Sequence, residues 1–370
     1  MGRLRRLRPI LFATGAAGLL AGCALLVGQP ATVPGPGRLD VPQPTATQIA
    51  AGANPNPSTP QLNQFAVEVV PPGSGGNQNP YRWLESIHSG RTRHWIFVEN
   101  QATVKALAAI PQRGWIRRRL EQLALSGGAG VTGDVVVERS FYVSSDGTRL
   151  RMEIAHRRDQ PQDGNQPTLL TVEHPTSTPS GPLLEPFVLV WLEMGGVYAR
   201  AEVRNSLVPE PAAPGKANPS DKRIALSDLF AAARSLIDRH YTRRERLGIY
   251  GRGFGGLMAG AAVALRPELF GAALPTGTWE QYGTIATGNC FPPTLITTAE
   301  RDGNIRPWQG YELAAALQAE QVCGRRPILL RVDREGDSGG QLAARRERAV
   351  DELAFAAKWL GAQAAGPPAN

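Results

Sequence analysis

From residue 168 to residue 360, short apolar runs of strand character alternate with longer runs of helical character. Strand candidates fall at 168–172, 197–203, 247–250, 272–275, 294–298 and 328–332, and helical spacing fills 227–240, 255–265, 310–321 and 343–360. Parallel strands need long crossovers, and helices supply them while covering the faces of the sheet. The alternation therefore predicts an α/β fold, a mostly parallel sheet with helices on both faces. Reactive groups in such a sheet gather at the C-terminal ends of its strands. Upstream, residues 139–143 and 149–156 flank Asp146-Gly147, which predicts a tight hairpin. Residues 95–107 and 115–125 have roughly helical spacing, and a glycine-rich joint at 126–133 separates them from the hairpin.

The first residues address a different solvent. Arg3, Arg5, Arg6 and Arg8 precede an uncharged run from Pro9 to Gly28. Within it, Leu20-Ala21-Gly22-Cys23 resembles the lipobox of bacterial lipoproteins, which makes Cys23 the candidate for lipidation. Apolar residues continue past Cys23 to Val27, so an uncleaved membrane anchor and a cleaved secretory peptide stay open beside it. All three routes carry the rest of the chain out of the cytoplasm and into a bacterial cell envelope, with the membrane as a partner through anchor or lipid. Between Gln29 and Pro80 lie 11 of the 31 prolines, among Thr, Ala, Asn, Gln and Gly. Such a stretch cannot offset its ordering entropy by burial, and it reads as an extended tether. The expected organisation is 1–28 signal or anchor, 29–78 tether, 79–133 helical segment, 134–362 α/β domain and 363–370 disordered tail.

Lys plus Arg number 40 against 32 Asp plus Glu, and half of that excess sits in the first eight residues. No basic block interleaved with aromatics occurs elsewhere, so a nucleic-acid partner is not expected. The 3 cysteines supply no Cys-x-x-Cys spacing for zinc, and no cofactor is expected.

The segment Glu245-Arg246-Leu247-Gly248-Ile249-Tyr250-Gly251-Arg252-Gly253-Phe254-Gly255-Gly256-Leu257 has strand, tight-turn and helix character, and Arg266-Pro267-Glu268-Leu269-Phe270 follows it. Together they resemble the nucleophile elbow of the prolyl oligopeptidase family of serine peptidases, which are α/β-hydrolases. Further landmarks follow the family's order: Asn79-Pro80-Tyr81-Arg82-Trp83-Leu84-Glu85, the strand pair from Phe141 to Arg151, Trp191-Leu192-Glu193 with Gly195-Gly196-Val197-Tyr198-Ala199, and Ala299 to Trp308. The resemblance runs from about Asn79 to Gly361. It implies two deletions: a β-propeller, for which only the joint near 125–135 remains, and most of a lid segment at 277–291.

A Ser–His–Asp hydrolase needs a hydroxyl on the elbow, an imidazole to take its proton and a carboxylate to orient the imidazole. The resemblance places Gly253 at the nucleophile position, Asp302 at the carboxylate position and Asp337 at the base position. Asn304 stands where the family has a substrate-holding arginine. Glu173 falls at the tyrosine of the oxyanion hole, where a carboxylate repels the charge that catalysis must stabilise. The histidines His88, His94, His156, His174 and His240 all precede the elbow, so no shift of register restores the base.

The inherited mechanism is therefore expected to be lost, leaving a pseudoenzyme that binds a peptide or protein from its tether. Two alternatives stay open. One is an active hydrolase with a displaced nucleophile, such as Ser338 or Cys290. The other is a divalent-cation module at Glu173, Asp302 and Asp337, with His174 beside them. Cys290 and Cys323 precede two strands expected to be neighbours, which predicts a disulfide in an oxidising compartment. Trp83, Trp95 and Trp115 read as packing residues, and Arg345-Arg346-Glu347-Arg348 reads as a solvated helix face.

Overall fold

The computed structural model describes residues 79–126, 134–173, 184–204, 219–277, 288–301, 306–335 and 342–363. The signal or anchor with Cys23, the tether, residues 364–370, His174, Asp302, Asn304, Asp337 and Ser338 lie outside the described residues.

Eight strands form one sheet: β1 (Val135–Val143), β2 (Arg149–Arg157), β3 (Thr168–Glu173), β4 (Val197–Glu202), β5 (Leu247–Gly253), β6 (Ala272–Gly277), β7 (Thr294–Arg301) and β8 (Ile328–Glu335). Their spatial order is β1-β2-β4-β3-β5-β6-β7-β8. β2 is antiparallel to β1 and β4, and the remaining pairings are parallel. Among the described residues, seven α-helices accompany them: α1 (Gly90–Ala108), α2 (Arg113–Leu125), α3 (Pro186–Glu193), α4 (Pro219–Asp238), α5 (Phe254–Leu265), α6 (Pro307–Glu320) and α7 (Leu342–Leu360). The architecture is the expected α/β fold with a mostly parallel sheet.

Strand alternation divides the core. Leu170, Ala199, Ile249, Ala273, Ile296 and Leu330 join a cluster with α4, α5 and α6. Their neighbours Leu169, Tyr198, Tyr250, Leu274, Leu295 and Leu329 join a second cluster with α2, α3 and α7. Each of these six strands, β3 to β8, is thus apolar on both faces, as a sheet covered on both sides requires. Ser89 caps α1 by accepting from the Thr92 N–H at 3.1 Å. Gly147, at φ +85°, makes the β1–β2 turn. Arg204 and the fully buried Asp228 hold that turn to α4, with Ser144 and Asp146 completing the clasp. Burial pushes the Tyr142 phenol, beside this clasp, well above its ordinary range.

The elements differ from the sequence expectation at their ends. α4 begins at Pro219 rather than near 227, and β5 runs on through Gly251-Arg252-Gly253 because β6 pairs with it as far as Gly277. α3 is a helix that periodicity does not reveal, because Pro186-Phe187-Val188-Leu189-Val190-Trp191-Leu192 is apolar on every side. The charged start of α7 is a solvated face only in part: Arg345 is exposed, but its neighbours are engaged. Arg348 is 3% exposed and donates to Asp333 at 2.8 Å. Glu347 accepts from Arg113 and Arg117, which fastens α7 to α2. Asp351, buried between Arg113 and Arg331, has its carboxyl raised by burial despite both guanidiniums. Trp83 and Trp95 pack edge to face, and Trp95 meets Tyr311 in the same way.

Candidate functional site

The sharp turn between β5 and α5 is built by contacts that exclude side chains. A Cβ on Gly251 would lie 2.2 Å from the Gly255 carbonyl carbon, and one on Gly256 would lie 2.0 Å from the Thr276 carbonyl oxygen. A Cβ on Gly255 would approach the Val172 carbonyl oxygen at 3.1 Å. These distances bring the first turn of α5 down onto β3 and β6. Between them, Gly253 turns the chain at φ +53° and ψ −120°. It is exposed, and a Cβ there would meet nothing within 4 Å. The turn therefore has room for a side chain at 253 and presents none.

The residue before it is anchored. Arg252 pairs with Glu352 of α7 at 2.9 Å, and the Thr276 hydroxyl donates to the other Glu352 oxygen at 3.0 Å. Glu352 is 1% exposed, so this carboxylate serves the underside of the turn rather than its mouth. Phe187 stacks on Tyr250 at 4.8 Å beside the Arg252 guanidinium. Burial pushes the Tyr198 and Tyr250 phenols well above their ordinary range, so both are neutral packing groups.

Glu173 ends β3 at the same edge of the sheet and lies 3.7 Å from Arg200 of β4. Its charge is thus opposed within the fold. Asp302 follows the last residue of β7, and Asp337 lies beyond the last residue of β8; both fall outside the described residues, so of the expected carboxylate trio only Glu173 lies within them. Among the described residues, no group of three His, Cys, Asp or Glu side chains could hold a metal. Cys290 and Cys323 form a disulfide with Cα atoms 5.1 Å apart, which leaves Cys290 no thiol to act as a displaced nucleophile. The sequence did not reveal Glu352 and Arg200 as partners of site residues. Glu352 lies 100 positions from Arg252, and no local motif joins them.

The landmarks agree with comparisons to known proteins. Residues 186–285 match the model of the prolyl oligopeptidase family. The prolyl endopeptidase of Elizabethkingia meningoseptica is 27% identical over 263 residues, covering 61% of this chain and 37% of that protein. A solved prolyl endopeptidase structure superposes with a TM-score of 0.54 at 29% identity, covering 62% of this chain and 39% of that one. The chain is similar to the prolyl oligopeptidase family, and its fold matches the α/β-hydrolase domain of these proteins. Prolyl oligopeptidase A of Amanita bisporigera is also similar, at 27% identity over 274 residues, covering 62% of this chain and 35% of that protein. The fold of prolyl oligopeptidase B from Galerina marginata matches with a TM-score of 0.54 at 22% identity, over 62% of this chain and 37% of that one. This chain thus spans about a third of the length of the prolyl endopeptidases it matches. Among the described residues, no helix is long and apolar enough to cross a membrane, and the run from Pro9 to Gly28 lies outside them.

Proposed function

We propose that this prolyl oligopeptidase homologue is a pseudoenzyme: a non-catalytic peptide- or protein-binding module tethered outside the cytoplasm. The observation that carries the proposal is Gly253. The turn that exposes a nucleophile in this fold is kept, with its close backbone approaches, while the position that would carry the hydroxyl has no side chain. Two further features support it. The connection from Glu335 to Leu342, where the family resemblance puts the general base, contains no histidine. Glu173, at the position of the oxyanion donor, is an acceptor held beside Arg200. A serine and its base act as one unit, so losing both removes nucleophilic catalysis rather than weakening it.

The short joint between Leu125 and Val135 supports the loss of a propeller, which leaves the strand ends open to a polypeptide. The N-terminal arginines, the uncharged run and the Pro-rich stretch support an envelope location with a lipid or membrane attachment. Turnover of a chromogenic proline-containing peptide by the purified full chain tests the reading. The expected result is no release above buffer. Release that a serine-directed inhibitor abolishes would contradict it. A pull-down from the native envelope then addresses binding, and recovery of no partner above controls would remove the binding half of the proposal.

A further inference from the structure

The two edges of the sheet are treated in opposite ways. At β8, helix α1 takes the place of a ninth strand. The Asn100 amide donates to the Val332 carbonyl at 3.2 Å and accepts from the Val332 N–H at 2.8 Å, as a paired strand residue would. Thr103 donates to the Leu330 carbonyl at 2.7 Å, and Gln318 of α6 donates to the Ile328 carbonyl at 3.1 Å. At the other edge, β1 has no such cover among the described residues. No strand lies beyond it, and no side chain of the described residues hydrogen-bonds to its backbone.

An uncovered edge is usually blunted by proline, a bulge, short length or outward charge. β1 has only the last of these, in one exposed residue, Arg139. It runs nine residues without a bulge in its register and contains no proline. Its charges are engaged, Arg139 with Glu153 and Glu138 with Tyr241 and His156. One of its faces exposes Val137 (39%), Phe141 (46%) and Val143 (62%).

We infer that β1 is a docking edge for β1 of a second copy of this chain, paired antiparallel about a two-fold axis through Ser140. The sequence of the strand suits its own copy as occupant and Ser140 as the axis. With Ser140 opposite its copy, Val137 faces Val143, Arg139 faces Phe141 and Glu138 faces Tyr142, so no like charges are opposed. Moving the axis to Arg139 would set that arginine against itself, moving it to Glu138 would oppose two carboxylates, and moving it to Phe141 would shorten the paired stretch from 137–143 to 139–143. A strand that can face its own copy without opposing like charges suits an isologous two-fold interface. The result joins the two sheets into one and covers both open edges. It does not depend on whether the elbow is catalytic.

Sedimentation of the full chain in mild detergent, with oxidative cross-linking of variants that carry one added cysteine and Cys23→Ser, tests this. The expected outcome is a dimer at micromolar concentration. Ser140→Cys should cross-link to its own copy on oxidation, whereas Val143→Cys should not, because its partner is Val137. Phe141→Asp should weaken dimerisation at least tenfold with an unchanged melting temperature. A native chain that stays monomeric up to about 100 μM would overturn the proposal. So would a dimer that survives Phe141→Asp, or one that cross-links equally at 140 and 143, since either places the interface elsewhere.

Discussion

Gly256 and Gly253 stand three residues apart in one turn and are glycine for opposite reasons. At Gly256 the Thr276 carbonyl oxygen would lie 2.0 Å from any Cβ, so packing dictates the residue. At Gly253 nothing lies within 4 Å, and only backbone conformation favours glycine. The contrast separates scaffold from chemistry. Packing maintains the turn whether or not it catalyses, whereas an exposed nucleophile is maintained only by its use.

The contrast can be broken most forcefully on the scaffold side. Gly256→Ala drives a methyl group into backbone that has no room to move, and overpacking of this kind costs about 3 kcal/mol or more. Urea unfolding should show that loss or an insoluble protein. Near-native stability would mean that the approach of α5 to β6 is looser than described.

A second prediction asks where neutral-pH titration resides. Glu99 of α1 is 2% exposed, and burial pushes its carboxyl up to about 7, with the Gln318 hydrogen bond pulling the other way. The folded chain therefore holds this proton more tightly than the unfolded chain does. Its contribution to stability is complete below about pH 4.5, declines as pH rises toward 7 and is lost above that. Glu99→Gln should remove this decline and stabilise the protein above pH 7 by up to about 3 kcal/mol, with little effect at pH 4. Parallel stability–pH curves for the two proteins would refute the assignment.

The smallest effect is expected at the open position. Gly253→Ser meets no atom, yet it must hold a positive φ that suits glycine. Its cost should be about 1–2 kcal/mol, from backbone strain alone. A loss as large as that of Gly256→Ala would mean that packing dictates Gly253 too, and the comparison would fail.

Much of this was legible in the sequence, for physical reasons. Strands such as Leu247–Tyr250 are dense apolar runs ended by glycine, and the elbow glycines mark a close approach that few other motifs need. The starts of β7 and of β8 lie side by side, so Cys290 and Cys323 were within reach of one another. Helix α3 was hidden because a segment buried on all sides has no period to read. Arg348 looked solvated because its partner Asp333 comes from another element, and the anchoring of Arg252 by Glu352 is likewise a product of tertiary packing. The chemistry of position 253, by contrast, could be read from one letter, since the absence of a side chain does not depend on its surroundings.

The most direct test is exposure of the full chain to a fluorophosphonate probe that reacts with activated serines, beside the double variant Gly253→Ser, Asp337→His. The native chain should remain unlabelled, and labelling confined to the variant would show that the scaffold still supports the chemistry its sequence lacks. Stoichiometric labelling of the native chain at one serine would contradict the account, and the mapped residue would name the nucleophile in use.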